Sequence, residues 1–193
     1  MSESEIIQKL QQGDEQAFRS LVENYQKMVI NTCFGIVHHQ EDAEDIAQDV
    51  FVEVFRSIRN FRADAKLSTW LYRISVNRSL NFIRDHKNKK RIRSISDLIQ
   101  TNPSGMLSIK ASGSDHPGAT FENSQRAEML HLAIGSLPDN QKVAFTLNKY
   151  EDLSYQEIAE VMAISLSSVE SLIHRAKKNL QKKLYDCYKK NCI

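Results

Sequence analysis

Apolar residues recur every three or four positions along most of the chain, the spacing that places side chains on one face of an α-helix. The first long stripe, from Ala17 to Ile36, follows Gly13 and Asp14, a pair that predicts a helix stop and then an N-cap. A shorter amphipathic stretch around Leu10 precedes it. The pattern therefore predicts a short helix and then a long helix before His38 and His39.

Two further stretches complete the N-terminal half. Asp42 is the predicted cap of a third helix, and Ser68 or Thr69 opens a fourth, WLYRISVNRSLNFIRD, which is apolar almost all round. The predicted inner face of the third helix consists of Ala43, Ile46, Ala47, Val50, Phe51, Val54, Phe55 and Ile58.

The helical spacing fails between residues 94 and 123, a segment that holds two of the three prolines and three of the six glycines. A stretch of about thirty residues is too long for an ordinary loop inside one compact domain. We therefore predict an all-α protein with a helical domain at 1–93, a flexible linker at 94–123 and a second helical domain at 124–193. In the second domain, helices are expected near 124–136, 138–150, 154–162 and 165–188.

The last two predicted helices have the order of a helix-turn-helix motif. A short helix is followed by a tight turn and then by a longer helix with a basic end. Ser154 and Glu157 have the spacing of a capping box, and Ser165 is placed to cap the second helix. A plain α-hairpin with a solvated outer face remains an alternative. The predicted outward residues of the last helix are Ser167, Ser168, Glu170, Ser171, His174, Arg175 and Lys178.

Charge is unevenly distributed, although the 193 residues sum to a net charge of only +2. Residues 84–93 carry six basic side chains and one acidic, and the last helix has a second basic cluster, which together predict a polyanionic partner. Residues 41–53 hold six acids and no base, which predicts a separate, basic partner. With an odd number of cysteines, no signal-peptide pattern and no long apolar run, we expect a cytoplasmic protein without membrane insertion.

Motifs of catalytic and metal chemistry are absent from the sequence: there is no Gly-rich phosphate loop, nucleophile elbow or zinc-ligand spacing. His38 and His39 are adjacent rather than four residues apart, so they do not form a helical metal-binding pair. We expect no enzymatic activity, no cofactor and no metal.

Three segments resemble the sigma-70 family of bacterial transcription initiation factors, in its extracytoplasmic function (ECF) group. DAEDIAQDVFVEVFRSI (42–58) is similar to the family's region 2.2, and NFRADAKLSTWLYRISVNRSLNFIR (60–84) to its regions 2.3 and 2.4. SLPDNQKVAFTLNKYEDLSYQEIAEVMAISLSSVESLIHRAKKNL (136–180) is similar to region 4. The resemblance implies a protein that binds core RNA polymerase and promoter DNA, and it leaves open whether an anti-sigma factor also binds.

The resemblance also implies which residues contact each partner. The third helix would dock the clamp helices of the largest polymerase subunit, through Asp45, Gln48, Asp49, Val52, Glu53 and Arg56. The fourth helix and the loop before it would capture the minus-ten strand, through Phe61, Trp70, Arg73, Ile74, Asn77, Asn81 and Arg84. Aromatic, amide and cationic groups side by side suit the capture of an unstacked base, while a core position is an equal alternative for Trp70.

The last helix would read the minus-thirty-five duplex, with its N-terminal part in the major groove. Here the sequence departs from many relatives, since Ser168, Glu170 and Leu172 stand where a threonine and two basic residues are common. Two rival functions remain: a stand-alone helix-turn-helix regulator and an RNA-binding helical protein. Neither accounts for both sets of motifs.

Overall fold

The computed structural model describes residues 3–62, 64–99 and 129–191, excepting the side chains of 88–99, 186–188 and 190–191. Within these ranges every regular element is helical. The N-terminal unit contains α1 (Glu3–Gln11), α2 (Glu15–Val37), α3 (Gln40–Ser57), a 3-10 turn (Ile58–Asn60) and α4 (Leu67–Ile99). The C-terminal unit contains α5 (129–135), α6 (Asp139–Lys149), α7 (Tyr155–Met162) and α8 (Leu166–Asn191).

Local sequence signals set several helix ends. The Asp14 carboxylate accepts hydrogen bonds from the backbone N–H groups of Gln16 and Ala17, so it caps α2 as predicted. The predicted capping box is also present, because Ser154 and Glu157 each bond the other's backbone N–H at the start of α7.

A single apolar core holds the N-terminal unit together. Side chains from α1 to α4 meet in it, and Leu21, Val29, Val50 and Leu71 are at most 1% exposed. Burying one such side chain contributes about 1.5–3 kcal/mol, so this core accounts for the stability of the unit.

The two units share a second apolar cluster. Ile36, Tyr72 and Val76 of the N-terminal unit pack in it with residues of α6, α7 and α8, including Leu147 and Ile158. The buried side of α8 consists of Val169, Ile173, Ala176 and Leu180, none of which belongs to the predicted outward residues. We call this packing of one unit against the other the closed arrangement.

The structure corrects two predictions about α3. His39, not Asp42, is its N-cap, because the His39 ring nitrogen accepts a hydrogen bond from the backbone N–H of Asp42. Phe55, predicted in the core, is 55% exposed, since its ring lies at the edge of the bundle beside Phe18.

The predicted linker lies mostly outside the described residues. The α4 backbone continues to Ile99, five residues past the predicted linker start at Ser94, so the helix outlasts its apolar pattern. Residues 100–128 include the rest of the linker and the start of the helix predicted at 124–136, and they are not described. The domain boundaries therefore stay a prediction.

Candidate polymerase-binding and nucleic-acid-binding surfaces

The outer face of α3 is a compact acidic surface with an apolar edge. Asp45, Gln48 and Asp49 are exposed, and Val52 and Phe55 expose 47% and 55% of their surface. Exposed polar side chains that lie beside exposed large apolar side chains are typical of a protein-binding patch. We call Asp45, Gln48, Asp49, Val52 and Phe55 the α3 surface.

Of the two other residues predicted for this surface, Arg56 is exposed as expected. Glu53 differs, because it is half-buried and forms a salt bridge with Arg78 of α4. Glu53 is therefore committed to holding α3 against α4, a role that its position on an exposed helix stripe did not indicate.

The predicted minus-ten residues form a continuous surface on α4 and the preceding loop. The ring centroids of Phe61 and Trp70 lie 4.7 Å apart, and both side chains pack against the first core together with Ile74. Asn77 is exposed, as are Asn81 one turn and Arg84 two turns further on, where the Arg84 side chain donates to the Asn81 amide oxygen. The surface thus offers half-buried aromatic and apolar groups beside exposed amides, and Trp70 belongs to both the core and the surface. We call these six residues the α4 surface.

Arg73 is the predicted minus-ten residue that lies apart. Its guanidinium group donates two hydrogen bonds, of 3.0 and 2.6 Å, to the backbone carbonyl of Glu160 near the end of α7. A helix C-terminus attracts cations, so this contact joins the two units.

The predicted outward face of α8 is exposed, with one exception. Ser167, Glu170, Ser171, His174, Arg175 and Lys178 are exposed, whereas Ser168 is half-buried, its hydroxyl 2.8 Å from that of Ser165. The Arg175 side chain donates to the carbonyl of Ser171 one turn earlier, which aligns it along the helix. We call the exposed residues the α8 surface.

Further polar contacts link the units around the second cluster. The Thr146 hydroxyl donates to the carbonyl of Gly35 at 3.0 Å, and the Tyr72 hydroxyl donates to the Glu151 carboxylate at 3.0 Å. A Cβ atom added to Gly35 would lie only 2.4 Å from Cγ2 of Thr146, so only glycine permits this approach. Sequence reasoning missed the interface, although a glycine inside a long helix is the kind of signal that marks close packing.

Burial at this interface changes the pKa of several groups. Burial, together with the neighbouring Lys142 and His131, lowers the pKa of His38 to about 4. Burial raises the pKa of Glu151 and, with Glu151 nearby, that of Tyr72. In the first core, burial raises the pKa of the Cys33 thiol to about 11, so Cys33 is an inert core residue.

In the described part of the chain, no three His, Cys, Asp or Glu side chains converge as metal ligands would. No helix in that part is both long and apolar enough to cross a bilayer.

Comparison with known proteins identifies both units. A family model described as Sigma-70 region 2 matches residues 21–89, and one described as Sigma-70, region 4 matches residues 127–180. The chain is 31% identical over 189 residues to the RNA polymerase sigma-H factor of Pseudomonas aeruginosa, covering 94% of this chain and 93% of that protein. It is 30% identical over 184 residues to the ECF RNA polymerase sigma-E factor of Haemophilus influenzae, covering 95% and 96%.

A solved structure supports the same fold. The sigma factor RpoE from Bartonella quintana, in complex with the anti-sigma factor NepR, matches with a TM-score of 0.63 and 19% identity, covering 87% of this chain and 96% of that chain. A stand-alone helix-turn-helix regulator would leave the region 2 match without a role and is not favoured. The chain belongs to the ECF group of the sigma-70 family, whose members bind core RNA polymerase and direct promoter-specific transcription initiation.

Proposed function

We propose that this sigma factor uses the three surfaces for three separate tasks: the α3 surface docks core polymerase, the α4 surface captures the minus-ten strand, and the α8 surface reads the minus-thirty-five duplex. It does so in the cytoplasm and without catalytic chemistry of its own. The observation that carries the proposal is that the polar side chains of each surface are exposed on a helix whose opposite face is buried.

The α3 surface fits a basic protein partner. Its two exposed carboxylates supply charge, and Val52 and Phe55 supply apolar area that would be desolvated on docking. Charged rim groups guide association, while buried apolar contacts and charge pairs hold the complex together. Core polymerase is therefore the partner that we assign to α3.

The α4 surface suits a base taken out of the duplex. Unstacking costs a few kcal/mol, and stacking on one aromatic side chain returns about 1–3 kcal/mol. Phe61 supplies such a stacking partner, and the amide of Asn77 is free to pair with the edge of the base. Because these terms nearly cancel, we expect strand capture only with the rest of the holoenzyme bound.

The α8 surface has groups for reading and groups for positioning. Arg175 and His174 lie nearer the helix N-terminus, and a bidentate contact from an arginine to guanine gives about 1–3 kcal/mol of discrimination. Glu170 can accept a hydrogen bond from a cytosine amino group. Lys178 lies one turn later, where phosphate contacts would fix orientation without reading sequence.

The closed arrangement has to open for both promoter elements to be read at once. The elements lie about 25 base pairs apart, which is about 85 Å along B-form DNA. In the structure α4 packs directly against α7, and packed helices lie only about 8–10 Å apart. The chain between the two units, about thirty residues, can span up to about 100 Å when extended, so separation is sterically feasible.

An anti-sigma partner is a further proposal for this chain. Its support is the structural match to a sigma factor solved with the anti-sigma factor NepR. A protein that contacts both units would hold them in the closed arrangement and so compete with promoter binding.

Transcription on genomic DNA with purified core polymerase, followed by mapping of start sites, tests the whole proposal. We expect a defined set of start sites that share two upstream elements, and the absence of initiation would overturn it. Asp49→Arg should weaken core binding by about 2–5 kcal/mol if its carboxylate is paired in the interface. Glu23→Arg, an equal charge reversal on the exposed side of α2, is the matched control.

The two DNA surfaces need separate readouts. Phe61→Ala and Asn77→Ala should reduce strand opening, followed by permanganate reactivity, and leave core binding unchanged. Arg175→Ala should alter the upstream element selected from a randomised pool, whereas Lys178→Ala should weaken all sequences alike. A changed consensus from Lys178→Ala with none from Arg175→Ala would show that the face of α8 is wrongly assigned.

A further inference from the structure

The loop that carries Phe61 is held at both ends by α1, which no sequence motif assigned to DNA binding. At one end, the side-chain amide of Gln11 donates a hydrogen bond of 2.8 Å to the backbone carbonyl of Phe61. At the other, the Glu3 carboxylate accepts a hydrogen bond of 2.7 Å from the backbone N–H of Leu67, the first residue of α4. These contacts join residues 50 and 64 positions apart in sequence.

Glu3 supplies the N-cap acceptor that the residues directly before α4 lack. The first N–H groups of a helix have no partner inside the helix, and a capping side chain usually satisfies one of them. Lys66, which precedes α4, has only donor groups and cannot act as a cap. A carboxylate from another helix takes that place, and its charge is also favourable at a helix N-terminus.

The α1 helix is anchored in the first core independently of its contacts with the loop. Ile7 and Leu10 are 8% and 3% exposed in the first core, and Glu3 and Gln11 lie at opposite ends of the same two turns. A cleft of about 600 Å³ separates the middle of α1 from the loop, so the contact is concentrated at the two ends.

The bond from Gln11 bears directly on the aromatic ring of the α4 surface. Its acceptor is the carbonyl of Phe61 itself, and the Phe61 ring rests against Trp70. A side chain held by both its backbone and its ring is preorganised, and preorganised groups lose less entropy when they bind. Without Gln11, the Phe61 carbonyl loses this hold, and only the bond from its N–H to the Ile58 carbonyl and the contact of its ring with Trp70 keep the residue in place for the base.

We propose that Gln11 and Glu3 are positioning residues for strand capture, Gln11 acting through Phe61 and Glu3 through the start of α4 at the other end of the same loop. This inference rests on the proposed role of the α4 surface. A single hydrogen bond of this kind corresponds to about 0.5–1.5 kcal/mol, so we expect each loss to slow promoter opening by about 2- to 12-fold.

The test measures opening by the complete holoenzyme on a promoter with 2-aminopurine in the minus-ten element. Gln11→Ala and Glu3→Ala should both slow opening, with unchanged affinity for core polymerase. Glu3→Gln keeps an acceptor oxygen for the Leu67 N–H and should open faster than Glu3→Ala. Gln8→Ala, on the same helix and beside the same cleft, is the matched control and should behave as wild type.

A double-mutant comparison separates positioning from a general structural effect. If Gln11 acts through the Phe61 ring, Gln11→Ala should add little to the defect of Phe61→Ala, whereas a loosened fold would add its full cost. Full additivity, or normal opening by both α1 variants while Phe61→Ala is defective, would overturn the inference alone. Normal opening by Phe61→Ala would instead overturn the proposed role of the α4 surface.

Discussion

The first core and the interface between the units are both buried, yet their chemistry differs. The first core is almost wholly apolar, with Val29, Val50 and Leu71 completely buried. The interface contains buried polar atoms without a hydrogen-bond partner, namely both ring nitrogens of His38 and one oxygen of Glu151. An unpaired buried polar group costs about 1–3 kcal/mol, so the interface is the weaker of the two.

The difference matches what each contact has to do. The N-terminal unit must stay folded in every step of transcription initiation, and an apolar core provides this. Under the proposed function the contact between the units separates on a promoter, and unpaired polar groups that regain water on opening would lower the cost of that separation.

The largest effect is expected from Leu71→Ala in the first core. Removing a fully buried leucine side chain costs about 2–5 kcal/mol, so the N-terminal unit should lose that much of its free energy of unfolding. Urea unfolding followed by circular dichroism measures it. Val52→Ala, on the exposed face of α3, is the control and should stay within about 0.5 kcal/mol.

The next effect is on the interface alone, from Gly35→Ala. The added methyl group collides with Cγ2 of Thr146, and overpacking of this kind costs about 1–3 kcal/mol. Alanine also favours helix over glycine by about 1 kcal/mol, so α2 should not unfold. We expect an increased radius of gyration by small-angle X-ray scattering.

Thr146→Ser provides a rescue for that variant. It removes Cγ2 but keeps the hydroxyl that bonds the Gly35 carbonyl, so the double variant should close again. If Gly35→Ala leaves the radius of gyration unchanged, the steric account of the interface is wrong.

A change of pH is expected to have a smaller effect on the closed arrangement. In the closed arrangement the pKa of His38 lies at about 4, below its ordinary 6.5, so its neutral form favours that arrangement, and the contribution is full above pH 6.5 and lost as the pH falls towards 4. Glu151 acts in the opposite direction because burial raises its pKa. The Glu151→Gln variant keeps an acceptor for Tyr72. In this variant, lowering the pH from 7 to 5 should therefore raise the ratio of open to closed molecules several-fold.

Adding His38→Phe to the Glu151→Gln variant separates the contribution of His38 to the pH response from that of neighbouring groups. The double variant should open much less on acidification. An equal opening with and without His38 would assign the pH response to other groups.

The smallest effect is expected from Lys66→Ala. Lys66 lies 4.0 Å from the Glu157 carboxylate across the interface, but both side chains are largely exposed. Exposed ion pairs contribute about 0–1 kcal/mol, so the radius of gyration should not change. A clear opening would mean that surface charge, and not buried packing, holds the units together.

The sequence alone determined the helices and several of their ends. Apolar spacing predicted the positions of α2, α6, α7 and α8, and the caps at Asp14 and Ser154 are as expected, because a cap bonds residues two or three positions away. The outward face of α8 follows from the same spacing, since a helix with one apolar face has only one way to turn in a small unit.

Only the tertiary structure decided how the surfaces relate to one another. Arg73 contacts α7, Glu53 pairs with Arg78, and Glu3 caps a helix 64 positions later. Each of these side chains has an ordinary helical position, and its partner lies on an element brought near by packing. Periodicity reports which face of a helix is apolar, but it carries no record of what packs against that face or of how closely Gly35 lets two helices approach.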